Sequence, residues 1–393
     1  MKTGFLILFA MAAGSAVVAQ SPSAMPGVSE PVWQMEESGT TAGLRGIDSV
    51  DGTVAWASGT EGTVLRTVDG GAHWTKCAVP NGDKDGATLD FRGVQAWDEK
   101  SAIVMASGPG EKSRLYKTTD GCGTWTLLFK NPDKDGFWDT LRMWTSTDGY
   151  LAGDPVAGHF YFAEAVKYLG QGVNGGFFAL NKEEFKAKGK SEGAFAASNS
   201  CVALGPVVSK SGQAREAWFA TGGVAGSRVI HYEHFLGEEP ERLSISSTNL
   251  PMFPSGEGAG IFSIGIRDAH RPESEVLFRE GGGTSRANWD LVVVGGDYTK
   301  PNDSRNTAAV SKDSGSTWTA SAVPPHGYRS TVQWGESIHA WITAGTNGSD
   351  ISRDDGKTWQ PLDNGNWNAL SLPFIVGPKG RIARLNAAAL PKQ

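Results

Sequence analysis

One octapeptide pattern constrains the fold of this chain more than any other feature, because near-copies of it occur four times. In each copy an Asp can accept hydrogen bonds from the backbone N–H groups of the turn that follows it. A Trp ends each copy, and its indole can fill the space between two packed sheets. The pattern therefore predicts a repeated β-hairpin turn with an aromatic anchor. The copies are 67–74 (TVDGGAHW), 118–125 (TTDGCGTW), 311–318 (SKDSGSTW) and 352–359 (SRDDGKTW). The predicted structural residues are Asp69, Trp74, Asp120, Trp125, Asp313, Trp318, Asp354 and Trp359.

The octapeptide resembles the Asp box, or bacterial neuraminidase repeat, of a group of β-propellers. In three copies a Gly stands two residues after the Asp and can adopt a positive φ at little cost. The second copy has Cys122 at that position, with a Gly on each side. The interval from Asp120 to Asp313 is roughly four times the interval from Asp69 to Asp120, as expected if three further repeats lack a good copy. The spacing therefore predicts seven repeats.

Two other repeated segments give the same number. Seven short apolar segments begin with an aromatic or aliphatic residue: LRGIDSV, FRGVQAW, WDTLRMW, FAASNSC, FSIGIRD, YRSTVQW and WNALSLP. Seven more end in Gly: VAWASG, IVMASG, YLAG, WFATGG, LVVVGG, AWITAG and PFIVG. We therefore predict an all-β, seven-bladed β-propeller with four strands in each blade. The last repeat stops after its third strand, so we expect the segment around Trp33 to supply the outer strand and close the ring.

The first residues have the pattern of an export signal. Lys2 precedes an apolar run from Phe5 to about Val18, which is shorter than the ~18–20 residues that a membrane span needs. We expect residues 1–19 to be removed and residues 20–393 to form a single propeller. The mature chain, without a membrane span, is then periplasmic or extracellular. Two stretches, near 159–191 and 269–290, interrupt the repeats and are predicted as surface insertions.

Composition restricts the classes of partner and cofactor. The 52 Gly and 14 Trp are typical of a protein with many tight turns and aromatic packing. A net charge of −6 without a long basic run argues against nucleic acid as the partner. The three cysteines do not form a disulfide framework. His231 and His234 stand at i, i+3 in a predicted strand and face opposite sides, so that pair is no metal site. We predict no metal and no other cofactor.

The geometry of an up-and-down blade separates the two faces of the predicted propeller. The octapeptide turns lie on one face, and the inner strands begin on the other face, around the mouth of the central channel. Three of the seven residues expected there are arginines, which could together bind a carboxylate, a phosphate or an acidic side chain. The alternative is that they pair with acidic residues and only stabilise the rim. From blade 1 to blade 7 the residues are Arg45, Arg92, Asp139, Ala196, Ser263, Arg329 and Asn368.

Two aspartates join the candidate binding residues. Asp154 (in GDPVAGHF) and Asp297 (in GGDYTKPND) hold equivalent positions after the second strands of their blades. Each could instead cap its own turn, as Asp commonly does. The candidate binding set is therefore Arg45, Arg92, Asp139, Asp154, Asp297, Arg329 and Asn368, and we predict no catalytic residue.

Longer segments resemble the photosystem II stability/assembly-factor family of propellers and its bacterial relatives. The resemblance covers nearly the whole mature chain and rests on FWDTLRMWTSTDGYLAGDPVAGHF, SEGAFAASNS, GIFSIGIRDA, VVVGGDYTKPND, GYRSTVQW and GTNGSDISRDDGKTW. It implies an exported, non-catalytic propeller that binds another protein and promotes its assembly or stability. The partner is then expected to be a protein or an acidic ligand in the cell envelope, bound at the arginine-bearing face, with the propeller itself a monomer.

Two other functions are alternatives. A sialidase-like glycoside hydrolase would need three arginines on the substrate carboxylate, a Tyr nucleophile activated by Glu, and an Asp acid/base. The chain offers Arg45, Arg92 and Arg329, with Tyr298 and Tyr328 on the same face, but no Glu can be assigned beside either Tyr. A scaffold would instead use the two insertions and leave the mouth inert. No dinucleotide-binding fingerprint supports an oxidoreductase.

Overall fold

The computed structural model describes residues 30–82, 84–169, 173–180, 182–189, 191–205, 213–236, 242–268 and 289–392. The predicted export signal, 1–19, and residues 269–288 of the second predicted insertion lie outside these residues. Apart from a few short 3-10 helices, the regular secondary structure of the described chain is β-strand. Within the described residues, no helix has the length and apolarity that crossing a bilayer requires. The short 3-10 helices are Gly86–Thr88, Gly110–Lys112, Lys182–Phe185, Glu336–Ile338 and Ala387–Ala389.

Seven antiparallel units of four strands follow one another along the chain, and each unit is one blade. The N-terminal strand is β1 (Trp33–Glu36). Blade 1 contains β2 (Leu44–Ser49), β3 (Ala55–Gly59), β4 (Val64–Thr67) and β5 (Thr75–Lys76). Blade 2 contains β6 (Phe91–Ala96), β7 (Ala102–Ala106), β8 (Arg114–Thr118) and β9 (Thr126–Lys130). Blade 3 contains β10 (Trp138–Thr145), β11 (Asp148–Val156), β12 (His159–Leu169) and β13 (Val173–Ala179).

The remaining blades have the same order of strands. The short β14 (Glu192–Gly193) precedes blade 4 and pairs with its second strand. Blade 4 contains β15 (Val202–Leu204), β16 (Gln213–Gly223), β17 (Arg228–Leu236) and β18 (Arg242–Asn249). Blade 5 contains β19 (Ala259–Asp268), β20 (Trp289–Asp297), β21 (Ala308–Ser311) and β22 (Thr319–Ala320). Blade 6 contains β23 (Thr331–Gly335), β24 (Ala340–Gly345), β25 (Gly348–Ser352) and β26 (Gln360–Asp363). Blade 7 contains β27 (Ala369–Ser371), β28 (Phe374–Val376) and β29 (Ile382–Leu385), together with β1.

The blades close into a ring around a central channel. The first strand of each blade contacts the first strand of the next blade, and β27 of blade 7 contacts β2 of blade 1. The described core consists of seven hydrophobic clusters, and each cluster fills the interface between two adjacent blades. These contacts confirm the predicted seven-bladed propeller, whose stability comes from apolar burial between sheets.

The predicted closing strand is present in blade 7. Strand β1 pairs antiparallel with β29, with Trp33 opposite Leu385. Trp33 is buried between blades 6 and 7 beside Trp367, and its Nε1–H donates to Ser349 Oγ at 2.9 Å. The octapeptide tryptophans make the same kind of contact, because each one packs between its own blade and the preceding blade. Trp33 therefore occupies the place of a missing octapeptide Trp, as predicted.

The octapeptide turns have the predicted hydrogen bonds. In the second copy Asp120 Oδ1 accepts a bond from the backbone N–H of Thr124 at 3.0 Å and another from the hydroxyl of Thr118. That hydroxyl accepts the N–H of Cys122. The other three copies repeat these contacts. Hydrogen bonds to the side chain of Thr124 and to its backbone lower the pKa of Asp120 to about 2.

Cys122 itself adopts the left-handed conformation that Gly adopts in the other copies. Its φ is 69°, compared with 80° to 93° at Gly71, Gly315 and Gly356. A side chain is strained there, and this one forms a disulfide with Cys77. The disulfide connects the end of blade 1 to the octapeptide turn of blade 2. The third cysteine, Cys201, is buried and unpaired.

Two parts of the chain differ from the expected strand pattern. The segment FAASNSC was predicted to open blade 4, but the opening strand β15 begins after it, at Val202. The stretch 159–191 was predicted as an insertion, but it contains β12 and β13, the third and fourth strands of blade 3. Blade 3 therefore has four strands without an octapeptide turn.

Candidate functional site

Two arginines stand together at the start of the inner strands of blades 1 and 2. Each is the extra residue of a β-bulge, since the register shifts between Leu44 and Gly46 and again between Phe91 and Gly93. A bulge turns its side chain away from the regular ladder, and here it directs Arg45 and Arg92 towards the mouth.

A single carboxylate lies between the two guanidinium groups. Asp90, two residues before Arg92, has one oxygen 3.1 Å from Arg45 Nε and the other 2.9 Å from Arg92 Nε. Burial lowers the pKa of Arg45, Asp90 raises it, and the like charge of Arg92 lowers it further. Arg92 also lies over the ring of Phe137. The side chains of Arg45 and Arg92 are 34% and 27% exposed, so both still reach solvent. The arginine pair thus carries one more positive charge than its shared carboxylate.

Asp139 lies behind the arginine pair and is 1% exposed. It is the bulge residue of blade 3, and its Oδ2 has no hydrogen-bond partner within the described structure. Burial and the nearby Asp154 carboxyl raise the pKa of Asp139 well above its usual range, although Arg92 and the backbone N–H of Ala196 oppose the shift. Burial also raises the pKa of Asp154, which accepts the N–H of Ala194 at 3.0 Å.

The residues that precede β15 cross the mouth instead of forming a strand. We name residues 194–201 the crossing segment. Arg92 Nη1 donates to the carbonyl of Ala196 at 3.4 Å, and Ser198 Oγ donates to the carbonyl of Ser330 in blade 6 at 2.6 Å. The side-chain amide of Asn199 exchanges two hydrogen bonds with the backbone of Leu141, at 2.7 and 3.0 Å. The crossing segment therefore links blade 4 to blades 2, 3 and 6 across the channel.

The crossing segment changes which residues occupy the predicted positions in blades 4 and 5. Ala196 contributes a carbonyl and an N–H rather than a side chain. In blade 5 the bulge residue is Phe262, because the register shifts between Ile261 and Ser263. Phe262 stacks on Phe195 with ring centroids 3.8 Å apart. Ser263 instead accepts the backbone N–H of Val332 and a bond from Ser200.

Arg329 is not part of the exposed arginine pair. Its side chain has no exposed area and is paired with Asp350, which is equally buried. It also donates to the carbonyl of Tyr328, to Asn347 Oδ1 and to His326 Nδ1. Within the described residues the structure therefore brings only Arg45 and Arg92 of the three arginines together with a shared carboxylate, and Arg329 stabilises blade 6.

The side chains of Asn368 and Asp297 also bond to other groups of the propeller. Asn368 Nδ2 donates to the carbonyl of Leu44 at 2.7 Å and ties blade 7 to blade 1. Asp297 accepts the N–H and hydroxyl of Thr299 and binds Lys300 Nζ at 2.8 Å. These bonds lower the pKa of Asp297. Asp297 therefore caps its own turn, whereas Asp154 holds the crossing segment.

Asp90 and the crossing segment are the components that sequence reasoning missed. Asp90 stands two residues before Arg92, and an acidic residue so close to an arginine is the signal that could have indicated the pair. Asn199 carries no comparable signal, because its partner is the backbone of another blade. Chemically, the mouth offers guanidinium N–H groups arranged to bind an oxyanion by charge-assisted hydrogen bonds.

No protein-family model matches the sequence, and no curated protein matches it. The solved structures with a similar fold include two structures of YCF48. "YCF48 bound to D1 peptide" superposes with a TM-score of 0.55 and 15% identity over 94% of this chain and 99% of that chain. "YCF48 from Cyanidioschyzon merolae" superposes with a TM-score of 0.53 and 15% sequence identity, over 90% of this chain and 98% of that chain. At this identity the likeness establishes that the chain has the β-propeller fold of YCF48.

Proposed function

We propose that this chain is an exported, non-catalytic propeller that binds a protein partner and serves its assembly or stability. The proposed binding site is the mouth around Arg45 and Arg92, with Asp139 and Asp154 behind it. The proposed ligand group is an acidic side chain or a carboxylate of the partner, in the periplasm or outside the cell. The propeller acts as a monomer.

The observation that carries this proposal is the arginine pair. Two partly exposed guanidinium groups share one carboxylate, so an incoming carboxylate can add charge-assisted hydrogen bonds without displacing Asp90. The burial and raised pKa of Asp139 favour its protonated form. Because this form is neutral, it does not offset the positive charge of Arg92. The fold likeness to a propeller solved with a bound peptide, "YCF48 bound to D1 peptide", supports a protein as the partner.

The same geometry favours binding over glycoside hydrolysis. A sialidase-type site would use three arginines on one carboxylate, and the third candidate, Arg329, is buried against Asp350. Tyr298 is 54% exposed and its ring contacts Phe262, whereas Tyr328 is buried and burial raises its pKa. A deprotonated Tyr nucleophile is disfavoured at such a position.

The test is capture of partners from the envelope fraction of the native host with three forms of residues 20–393. These are the wild-type chain, Arg45→Ala/Arg92→Ala, and the control Lys76→Ala/Lys357→Ala, which removes the same charge from two exposed residues. Thermal melts first establish that all three are folded. We expect the wild type and the control to retain one protein partner and the arginine variant to lose it.

Two results would contradict the proposal. Equal capture by the arginine variant would show that the mouth is not the binding site. Capture of no protein by the wild type, together with turnover of a fluorogenic sialoside, would favour the hydrolase instead.

A further inference from the structure

A second group of polar side chains lies in blade 4, on strands β16 and β17. Glu216 and Glu233 stand directly opposite each other in the antiparallel register, and His231 is two residues from Glu233 on the same strand. Because side chains alternate between the two sides of a strand, all three point to the same side of the sheet. Each offers a ligand atom that lies within 4.8 Å of the ligand atoms of the other two.

Aromatic residues orient two of these side chains. The indole of Trp218 stacks on the imidazole of His231, with centroids 4.6 Å apart and planes 7° from parallel. The indole N–H of Trp289, the first residue of β20, donates to Glu216 Oε2 at 2.8 Å. Trp218 and Trp289 both belong to the cluster between blades 4 and 5. A hydrogen bond from an outer residue to a ligand carboxylate, such as the one from Trp289 to Glu216, holds metal ligands in position in known sites.

The three side chains lie in a crevice that is shielded but not closed. Glu233 is 4% exposed, and the side chains of His231 and Glu216 are 18% and 16% exposed. An ion can therefore reach the group from solvent, while most of its surroundings are protein.

The opposite side of the same two strands has a different charge arrangement. There Arg215 binds Asp148 at 2.7 Å and Glu164 at 2.5 Å, and His234 lies 3.4 Å from Glu164. On that side an arginine of the chain provides the positive charge between two carboxylates. Among the described residues of the side facing blade 5, the imidazole of His231 shares the surface with the carboxylates of Glu216 and Glu233.

We propose that Glu216, His231 and Glu233 form a binding site for a divalent transition-metal ion such as Zn²⁺. One imidazole nitrogen and two carboxylates are a ligand set that zinc accepts, with bonds of ~2.0–2.2 Å. Such bonds place the donors roughly 3.4 Å apart, so small side-chain rotations bring the three atoms into range. The imidazole favours a transition metal over Mg²⁺ or Ca²⁺, which prefer oxygen ligands. The ion cross-links β16 and β17 beside blade 5.

This site differs from the sequence expectation of no metal. The expectation rested on His231 and His234, which face opposite sides as predicted. The ligands that accompany His231 come from the cross-strand pair, and only the register of β16 with β17 brings them together.

Isothermal titration with ZnCl₂ tests the proposal on EDTA-treated mature chain that carries no polyhistidine tag. We expect saturable binding of one ion per chain, a higher melting temperature with Zn²⁺, and weaker binding of MgCl₂. His231→Ala, Glu216→Gln and Glu233→Gln each remove one ligand. Loss of an outer partner alone costs about 10–100-fold in affinity, so each of these variants should weaken binding at least about tenfold.

The matched control is His234→Ala, which removes a histidine of the same strand on the opposite side. It should retain the zinc affinity of the wild type, and thermal melts without metal confirm that each variant is folded. The proposal is overturned if the wild type shows no saturable binding, or if the three ligand variants bind as tightly as the wild type. A loss in His234→Ala equal to the loss in His231→Ala would also overturn it.

Discussion

Asp139 is a buried residue whose charged form the fold disfavours. Its folded pKa lies well above the ordinary value, so the folded protein holds a proton that the unfolded chain releases above pH ~4. Stability from this group is therefore present at low pH and is lost as pH rises towards the folded pKa. The pKa of Asp139 is raised because the carboxyl is buried beside Asp154. Because the pKa is raised, the stability falls as the pH increases.

We expect Asp139→Asn to remove this loss. Relative to wild type, the melting temperature of the variant should increase as pH rises from 5 towards 8, because the amide carries no charge. Asp297→Asn is the control with the opposite sign, since hydrogen bonds lower the pKa of Asp297. That control should melt below wild type at pH 7, and the difference should shrink below pH ~4. Parallel melting curves of wild type and Asp139→Asn across pH would contradict the assignment.

Asn199 provides a second prediction at this scale. Replacing it with Ala removes both hydrogen bonds to Leu141. The buried backbone N–H and C=O of Leu141 then lose these partners. At ~1–3 kcal/mol for each of the two unsatisfied groups, loss of these bonds should lower the free energy of unfolding by about 2–6 kcal/mol. Asn306→Ala is the control, because Asn306 is exposed and has a similar φ of 55° against 58°. Asn306→Ala should lower the free energy of unfolding only by the strain of Ala at a positive φ, about 1–2 kcal/mol. Urea unfolding measures both, and equal losses would show that the bonds to Leu141 contribute little.

At the scale of single elements, the disulfide replaces a glycine with a cross-link. Cys77 and Cys122 are separated by 45 residues, and closing a loop of that size in the unfolded chain contributes about 4 kcal/mol. The variant Cys77→Ala/Cys122→Gly loses this contribution but restores the residue that three other copies have at the positive φ. Cys77→Ala/Cys122→Ala loses the cross-link and keeps the strain, so it should be less stable by a further 1–2 kcal/mol or so. Denaturant unfolding of the three proteins checks this order, and no difference between the two variants would refute the role of φ.

Which elements could be predicted depended on whether their contacts are local. The octapeptide turn is determined by residues within one short segment, such as Asp120, Thr118 and Thr124, so its repeat located the turns and the blades. The segment FAASNSC has the place of an opening strand in the repeat, but Ser198 and Asn199 bond to blades 6 and 3. Those partners are distant in sequence, and no local pattern encodes them.

The same distinction applies to the candidate site. The positions of Arg45 and Arg92 follow from the strand repeat, and both lie at the mouth. Arg329 fits the same pattern equally well, but its surroundings depend on β25, which places Asp350 beside it. A single sequence shows the position of a charged residue in a repeat, whereas its exposure depends on neighbours from other segments.

At the scale of the whole molecule, stability depends on closing the ring. Each apolar cluster belongs to two blades, so a blade without its neighbours leaves two apolar surfaces in water. Strand β1 completes blade 7, and Trp33 anchors it with 5% exposure. The contacts of this one residue of β1 therefore support the interface between blades 6 and 7.

We expect Trp33→Ala to reduce the free energy of unfolding by about 3–5 kcal/mol, the usual cost of removing a buried Trp. Trp125→Ala is the matched comparison, because Trp125 occupies an octapeptide position but is only partly buried, and it should cost less. Denaturant unfolding gives both values. If Trp33→Ala were no worse than Trp125→Ala, ring closure through β1 would not be a main source of stability.

The pairing of β1 with β29 also imposes an order on biosynthesis. Ribosomes make β1 before every other described strand and β29 after all of them, and at ~5–20 residues per second roughly 20–70 seconds separate the two. During that interval the edge of β1 has no partner in the nascent chain, and the last blade cannot form. The propeller is therefore completed only after β29 has been synthesised, and an exposed strand edge must be kept from aggregating until then.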